Sequence, residues 1–280
     1  MGAHAIDAEL LVSRRTAGIP AGVFLLPLVL LLGVSLTEGY PLDAVASLGS
    51  YRELFVNAFY RSYLITTLAF GLTVTALCLL AGYPLAYFLV RHARRSYRPL
   101  LVVVVSPLLV SVVARTVGWT IMLGNDGTLN RLLLFTGLVS KPVQILFTPL
   151  AATIGMVHVL LPFMVLSLAG VLSGMDRSLE EAALSLGADR MRVFWRLTVP
   201  LSLRGVNVGC MLVFMLAIGS YVTPVLLGGG KIRLLAPMIY DQITNIVDWS
   251  SGSAMSVMLL LAGLAVLLTV PLASRAARWL

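Results

Sequence analysis

Six stretches of about 20 residues with almost no charge recur along the chain, at about 17–37, 62–90, 99–123, 149–172, 205–227 and 253–273. A helix of about 20 apolar residues crosses the hydrocarbon core of a bilayer. Backbone in that core must satisfy its own hydrogen bonds, and for runs this long the helix does so. The pattern predicts an all-α polytopic membrane protein with six transmembrane helices. Composition agrees. Of 280 residues, 59% are hydrophobic and 11% charged, with a mean hydropathy of +0.97. Soluble domains carry about 25% charged residues. Disorder goes with low hydrophobicity and is excluded. With 24 Gly and 2 Cys, collagen-like and disulfide-scaffold chains are excluded too.

The net charge of +8 does not call for nucleic acid as a partner. Chains embedded in lipid keep Lys and Arg on their cytoplasmic side, and that alone makes them basic. Segments 1–16, 91–98, 173–204 and 274–280 hold thirteen arginines, whereas the alternate connections hold six Lys and Arg. This bias places both termini and the 173–204 loop in the cytoplasm. It divides the chain into a cytoplasmic segment 1–16, a membrane domain 17–273 and a cytoplasmic tail 274–280. Ser13-Arg14-Arg15 before an apolar run also fits a twin-arginine export signal, but an uncleaved first span needs the same arginines. Cys78 and Cys210 sit in apolar runs and read as small buried thiols. On the other side, 124–148 holds an apolar stretch, Leu132 to Phe135, suited to a short interfacial helix. Asp248-Trp249 suits the membrane boundary.

The 173–204 loop is long but not loop-like. Asp176 can cap a helix, with Glu180 and Glu181 near its positive end. Leu179, Ala183 and Leu186 share a face. Gly187 permits a left-handed turn. A second short helix follows with Val193, Phe194 and Leu197 on one face, and Pro200 is expected to stop it or redirect it into the fifth span. The result is a helix–Gly–helix hairpin whose apolar faces pack on the bundle or dock a partner.

The spacing is specific: Glu181-Ala182-Ala183, three residues, Gly187, nine residues, then Leu197-Thr198-Val199-Pro200. It resembles the loop of permease subunits of ATP-binding-cassette importers: Glu-Ala-Ala, three residues, Gly, nine residues, Ile, one residue, Leu, Pro. Leu197 and Val199 differ from it by exchange of aliphatics. GYPLAYFLVR (82–91), ARTVGWTIML (114–123), NDGTLN (125–130), LPFMVLSLAGVL (161–172), TPVLLGGG (223–230) and DWSSGSAMSVMLL (248–260) resemble the spermidine/putrescine-type branch, and within it the first of two permeases. That branch also moves opines, iron, phosphonates and other small solutes.

The resemblance implies a type I importer-like permease fold in the bacterial cytoplasmic (inner) membrane. It implies, as partners besides lipid, a cytoplasmic ATPase dimer that holds ATP and Mg, a second and paralogous permease, and an extracytoplasmic solute-binding protein. It makes Glu180, Glu181, Ala182, Ala183, Leu186, Gly187, Ala188, Arg192 and Pro200 the docking loop, through which ATP-driven closure of the ATPase flips the path.

No cofactor or metal site and no enzymatic centre is expected in this chain. A Walker A loop ends Gly-Lys followed by Ser or Thr. At Gly228-Gly229-Gly230-Lys231 the lysine is followed by Ile232, and the segment reads as a turn after the fifth span. His4, His92 and His158 are scattered. Arg115, about 24 Å along a straight helix from Pro99, suits a structural or gate residue that snorkels, or a substrate contact. His158, at a position often aromatic in the resembling branch, suits a neutral hydrogen-bonded ring or a path residue. Pro162 is expected to kink the fourth span. A polyamine needs carboxylates and aromatic faces. Trp119, Tyr221, Tyr240, Trp249, Asp126, Asp241 and Asp248 suit that role, or are ordinary interfacial residues. Arg115 opposes a cation, so an amino-acid derivative or an anion stays open as solute. The alternative from another class is an ion-gradient-driven secondary transporter or channel with no ATPase. It would show inverted repeats and acidic relays.

Overall fold

The computed structural model describes residues 23, 25–38, 45–93 and 96–276. Helices run α1 Leu25–Ser35, α2 Gly49–Val56, α3 Ala58–Arg91, α4 Tyr97–Leu109, α5 Val112–Leu123, α6 Thr128–Phe135, α7 Pro149–Ser173, α8 Arg177–Ser185 and α9 Arg190–Val193. A π turn, Phe194–Thr198, leads into α10 Val199–Ile218. Then come α11 Val222–Gly228, α12 Leu235–Asp241, a second π turn Gln242–Ile246, and α13 Trp249–Ala276. Outside the helices, β1 Thr37–Glu38 pairs antiparallel with β2 Val45–Ala46.

The all-helical membrane architecture is the expected one. Among the described residues, four helical runs are long and apolar enough to cross a bilayer: Ala58–Arg91, Pro149–Ser173, Arg190–Ile218 and Trp249–Thr269. A fifth is counted if the bent pair Tyr97–Leu109 and Val112–Phe135 forms one span. Most of the expected first span, 17–37, is described and forms the apolar α1, while residues 17–22 and 24 lie outside the described residues. So do Arg14, Arg15, Arg94, Arg95 and Arg278, and with them the reading of segment 1–16.

Two compact units are present. The larger comprises Ser62–Pro237 and Ala262–Leu280. Its core helix is α7. Thr148 accepts a hydrogen bond from the Ala151 N–H at 3.3 Å and Pro149 occupies the first turn, a favoured helix start. Along α7 the residues at every fourth position, Ala152, Met156, Leu160, Met164, Leu168 and Leu172, are all buried. This i+4 row forms a ridge for neighbouring helices. Against it α10 presents glycines. A Cβ at Gly209 would lie 2.7 Å from Met164 Sδ, and one at Gly205 would lie 3.0 Å from the Ser167 carbonyl oxygen. Small residues let helix backbones approach in lipid, where apolar burial alone gives little drive. Thr67 and Thr75 return their hydroxyls to the Tyr63 and Gly71 carbonyls at 2.7 Å, so neither leaves a donor bare.

The expected straight third span is broken. The chain bends by 97° between α4 and the run Val112–Phe135. Pro107 lacks an N–H and crowds the carbonyl four residues before it. Val110 then donates to the Pro107 carbonyl at 3.4 Å and itself adopts extended backbone, φ −92° and ψ 137°. The depth of Arg115 counted along a straight helix does not carry across this bend. Pro162, by contrast, lies buried inside α7 without ending it. Span five is also shorter than expected at its far end: α10 stops at Ile218, and the following segment re-forms as α11. Gly229, φ +59°, then makes the expected turn.

The smaller unit comprises Met1–Arg61 and Met238–Leu261. Ser35, fully buried, bonds the Leu32 carbonyl and the Tyr51 hydroxyl, each at 2.7 Å. Ser50 and Ser250 pair at 3.1 Å, and Ser250 also donates to the Thr37 carbonyl. Asp248 caps α13 by accepting from the Ser251 N–H at 3.0 Å.

Candidate functional site

The hairpin expected over 173–204 forms with its helix caps and its glycine turn in place. Asp176 Oδ1 accepts from the Ser178 N–H at 2.9 Å and starts α8. The Ser178 backbone and side-chain bonds hold this exposed carboxyl below the usual carboxylate range. At the other end, Gly187 N donates to the Leu184 carbonyl at 3.0 Å and Ala188 N to the Ala183 carbonyl at 3.1 Å. Gly187 has φ +86°. These two bonds and the left-handed residue make a Schellman stop. Asp189 then caps the next helix through the Met191 N–H at 3.3 Å.

Pro200 neither stops nor turns the chain, because the run 190–218 is one helix. The π turn explains this. Val199 N reaches back five residues to the Phe194 carbonyl, so the ladder is already widened where Pro200 lacks a donor.

The hairpin is fixed to the bundle by polar contacts that sequence reasoning missed. Arg91 Nη2, at the end of α3, donates to Glu180 Oε1 at 2.8 Å. Thr198 Oγ1 donates to the same oxygen at 3.1 Å. Arg177 Nη2 donates to the Val90 carbonyl at 2.7 Å. Phe194 packs edge-on to Tyr83 and Tyr87, with centroids at 5.7 and 5.3 Å, and Tyr83 pairs with Ser202 at 2.9 Å. Glu180 therefore faces the bundle. Its neighbour Glu181 is exposed, as are Ala182, Leu186, Gly187, Arg192 and Pro200, while Ala183 and Ala188 are half-buried. Leu186 is 89% exposed on a loop otherwise pinned in place. A cleft of about 380 Å³ between the hairpin and α3 is lined by Arg91, His92, Arg177, Glu180, Glu181 and Arg190, among others.

Two of the five path candidates are in direct contact. Trp119 and His158 meet: Trp119 Nε1 donates to His158 Nδ1 at 3.2 Å, with ring centroids 5.4 Å apart. In that bond the ring nitrogen is the acceptor and the indole N–H the donor. The pair lines a mostly apolar cleft of about 490 Å³ with Leu77, Leu80, Thr153 and Leu161. Arg115 lies one turn before Trp119 on α5, and its Nη1 donates to the Pro107 carbonyl at the break. Tyr221 precedes α11. Asp241 belongs to the smaller unit, where Asn245 Nδ2 donates to its Oδ1 at 2.6 Å. Among the described residues, no three or more His, Cys, Asp or Glu side chains gather as a metal site would require.

The short helix expected near Leu132 is α6. It is anchored by Asn130, which is fully buried. Asn130 Nδ2 donates to the Gly124 and Val143 carbonyls, each at 3.0 Å, and its Oδ1 accepts from the Val143 N–H at 2.9 Å.

Residues 12–280 match the family model described as "binding-protein-dependent transport system inner membrane component". The chain is 36% identical over 237 residues to the spermidine/putrescine transport system permease protein PotB of Salmonella typhimurium (strain SL1344), covering 84% of this chain and 82% of that protein. It is 38% identical over 209 residues to the protein of the same name from Haemophilus influenzae, covering 74% and 72%. In fold it resembles a chain of a bacterial alginate ABC transporter, solved in complex with an alginate pentasaccharide-bound periplasmic protein. That match has a TM-score of 0.75 at 17% identity and covers 98% of this chain and 97% of the other.

Proposed function

The chain belongs to the family of inner membrane components of binding-protein-dependent transport systems, and from that premise we propose that it forms half of a solute path and takes its drive from a separate cytoplasmic ATPase at the 173–204 hairpin. The other half is a paralogous permease, and an extracytoplasmic binding protein delivers the solute. The hairpin and both termini face the cytoplasm, as the arginine distribution requires.

One observation carries the docking role. The hairpin is pinned to the bundle on one side, while on its other side it exposes Glu181, Ala182, Leu186 and Gly187. A connection that served only to join two spans would have no need of an 89% exposed Leu186 at its tip. Small side chains at 182 and 187 admit close approach by a partner backbone. ATP binding can drive transport only if the ATPase holds the two states of the bundle with different free energy. A stiff attached hairpin is the element that carries such a difference into the membrane. ATP and Mg belong to that partner.

The solute is a polyamine of the spermidine or putrescine type. The identity to the PotB proteins supports this. Trp119 offers an aromatic face beside the cleft.

The test is reconstitution of this chain with its paralogue, the ATPase and the binding protein in liposomes. ATP-dependent uptake of spermidine is expected, and Glu181→Lys should release the ATPase from the complex. Uptake by the chain alone under an ion gradient would overturn the reading. Uptake of an opine or a phosphonate in place of spermidine would overturn the solute assignment alone.

A further inference from the structure

Glu180 and Glu181 are adjacent acids with opposite surroundings. Neighbours on a helix point about 100° apart, so only one of them reaches the outer face. Glu181 is exposed. The Glu180 side chain is 16% exposed and that of its partner Arg91 is 6% exposed. A charge held that far from water persists only when paired and hydrogen-bonded. Glu180 Oε1 meets both conditions, taking Arg91 Nη2 from the last residue of α3 and Thr198 Oγ1 from the turn that feeds α10.

The neighbouring contacts act in the same direction. Arg177, in the first turn of α8, donates to the Val90 carbonyl beside Arg91. Phe194, which opens the π turn, lies edge-on to Tyr87 one turn before Arg91. The extra residue of the π turn fixes where Thr198 falls, with Thr198 buried while Trp195 and Arg196 remain exposed. One carboxylate oxygen thus joins three elements: the inner end of α3, the docking helix α8 and the inner start of α10.

We propose that Arg91, Glu180 and Thr198 form a latch that makes the docking hairpin rigid with the inner ends of α3 and α10. Force applied by the ATPase then moves those two spans and is not dissipated in bending the loop. The three are positioning residues: none contacts the ATPase or the solute. The proposal rests on the docking reading of the Glu181–Gly187 face and assigns Glu180 to the bundle.

The experiment uses the complete complex in liposomes, with spermidine as the probe and three variants: Glu180→Gln, Thr198→Val and the exchanged pair Arg91→Glu/Glu180→Arg. Three quantities are read: ATPase co-purifying with the permease, stimulation of ATP hydrolysis by spermidine-loaded binding protein, and spermidine taken up per ATP. For Glu180→Gln the ATPase stays bound while uptake per ATP and stimulation fall about tenfold, the scale of a hydrogen bond to a charged group. Thr198→Val, which removes no charge, gives a smaller loss in the same direction. The exchanged pair recovers most of the loss. Unchanged uptake per ATP in both single variants would overturn the latch. Loss of the ATPase from Glu180→Gln with no recovery in the exchanged pair would also overturn it, by making Glu180 a docking contact. A Glu181→Lys complex that keeps its ATPase and transports normally would sink the docking reading by itself. The latch variants would still be read through their own ratio.

Discussion

Gly187 offers a substitution whose two effects the structure separates. Its φ of +86° is a conformation that residues with a Cβ adopt at a cost of about 1–2 kcal/mol. A Cβ placed there would meet nothing within 4 Å. Within this chain, Gly187→Ala therefore carries the backbone cost and no clash. A loss of 1–2 kcal/mol corresponds to a shift of about 5- to 30-fold in the closed-to-open ratio of the Schellman turn. Hydrogen exchange at the Gly187 and Ala188 amides, which close that turn, should report it in the purified permease without its ATPase. Gly187→Asn should cost less, because Asn tolerates the left-handed region. Gly187→Trp should match Ala in the isolated permease, since the space is open. In the assembled transporter it should behave differently: the indole would occupy the face assigned to the ATPase, and co-purification should fall well below that of the Ala variant. If Asn and Ala exchange alike and both match the parent, the turn does not depend on the glycine. If Trp and Ala retain the ATPase equally, nothing approaches Gly187 and the docking face lies elsewhere.

Other expectations follow from single contacts. Asn130→Ala removes three neutral hydrogen bonds from a fully buried side chain and strands the Val143 N–H, a loss of about 3 kcal/mol. It should lower the thermal unfolding midpoint of the purified permease and open 124–143 to protease. Gly205→Leu would drive a side chain into the Ser167 carbonyl and Val171, an overpacking cost of about 1–3 kcal/mol. Unfolding in detergent should come earlier, with no change at the hairpin amides. The Asp176 carboxyl is held low by Ser178. Its cap is therefore complete above the unfolded value of about 3.9 and is lost as pH falls through the lower folded value. Exchange at the Ser178 amide, corrected for intrinsic rate, should rise only below about pH 4, and Asp176→Ser should flatten that profile.

The features legible in the sequence are those set by local chemistry. Asp176, Gly187 and the Gly228–Lys231 segment each declare a cap or a turn through their own side chain or its absence, and the structure places each where it was read. The apolar runs likewise gave the cores of the long helices. What stayed hidden depends on partners distant in sequence. Nothing local says that Glu180 faces Arg91, 89 residues away, although two adjacent acids on one helix cannot share a face. The break after Pro107 was masked because the apolar run continues through it. The proline followed by β-branched Val110, Val112 and Val113 was the available signal. Pro200 misled for the opposite reason: the widened turn before it removes the conflict that a proline usually creates. Arg115 reads from the sequence as a structural or gate residue or a substrate contact, and its Pro107 carbonyl partner appears only once the chain bends.

The buried row on α7 steps by four residues, whereas a full turn takes 3.6. Each step overshoots by about 40°, and five steps from Ala152 to Leu172 sweep about 200° around the rod. The row is thus a screw thread and not a keel. The two ends of α7 press on nearly opposite sides, so a small axial rotation of this one rod shifts contacts at both faces of the membrane with opposite sense.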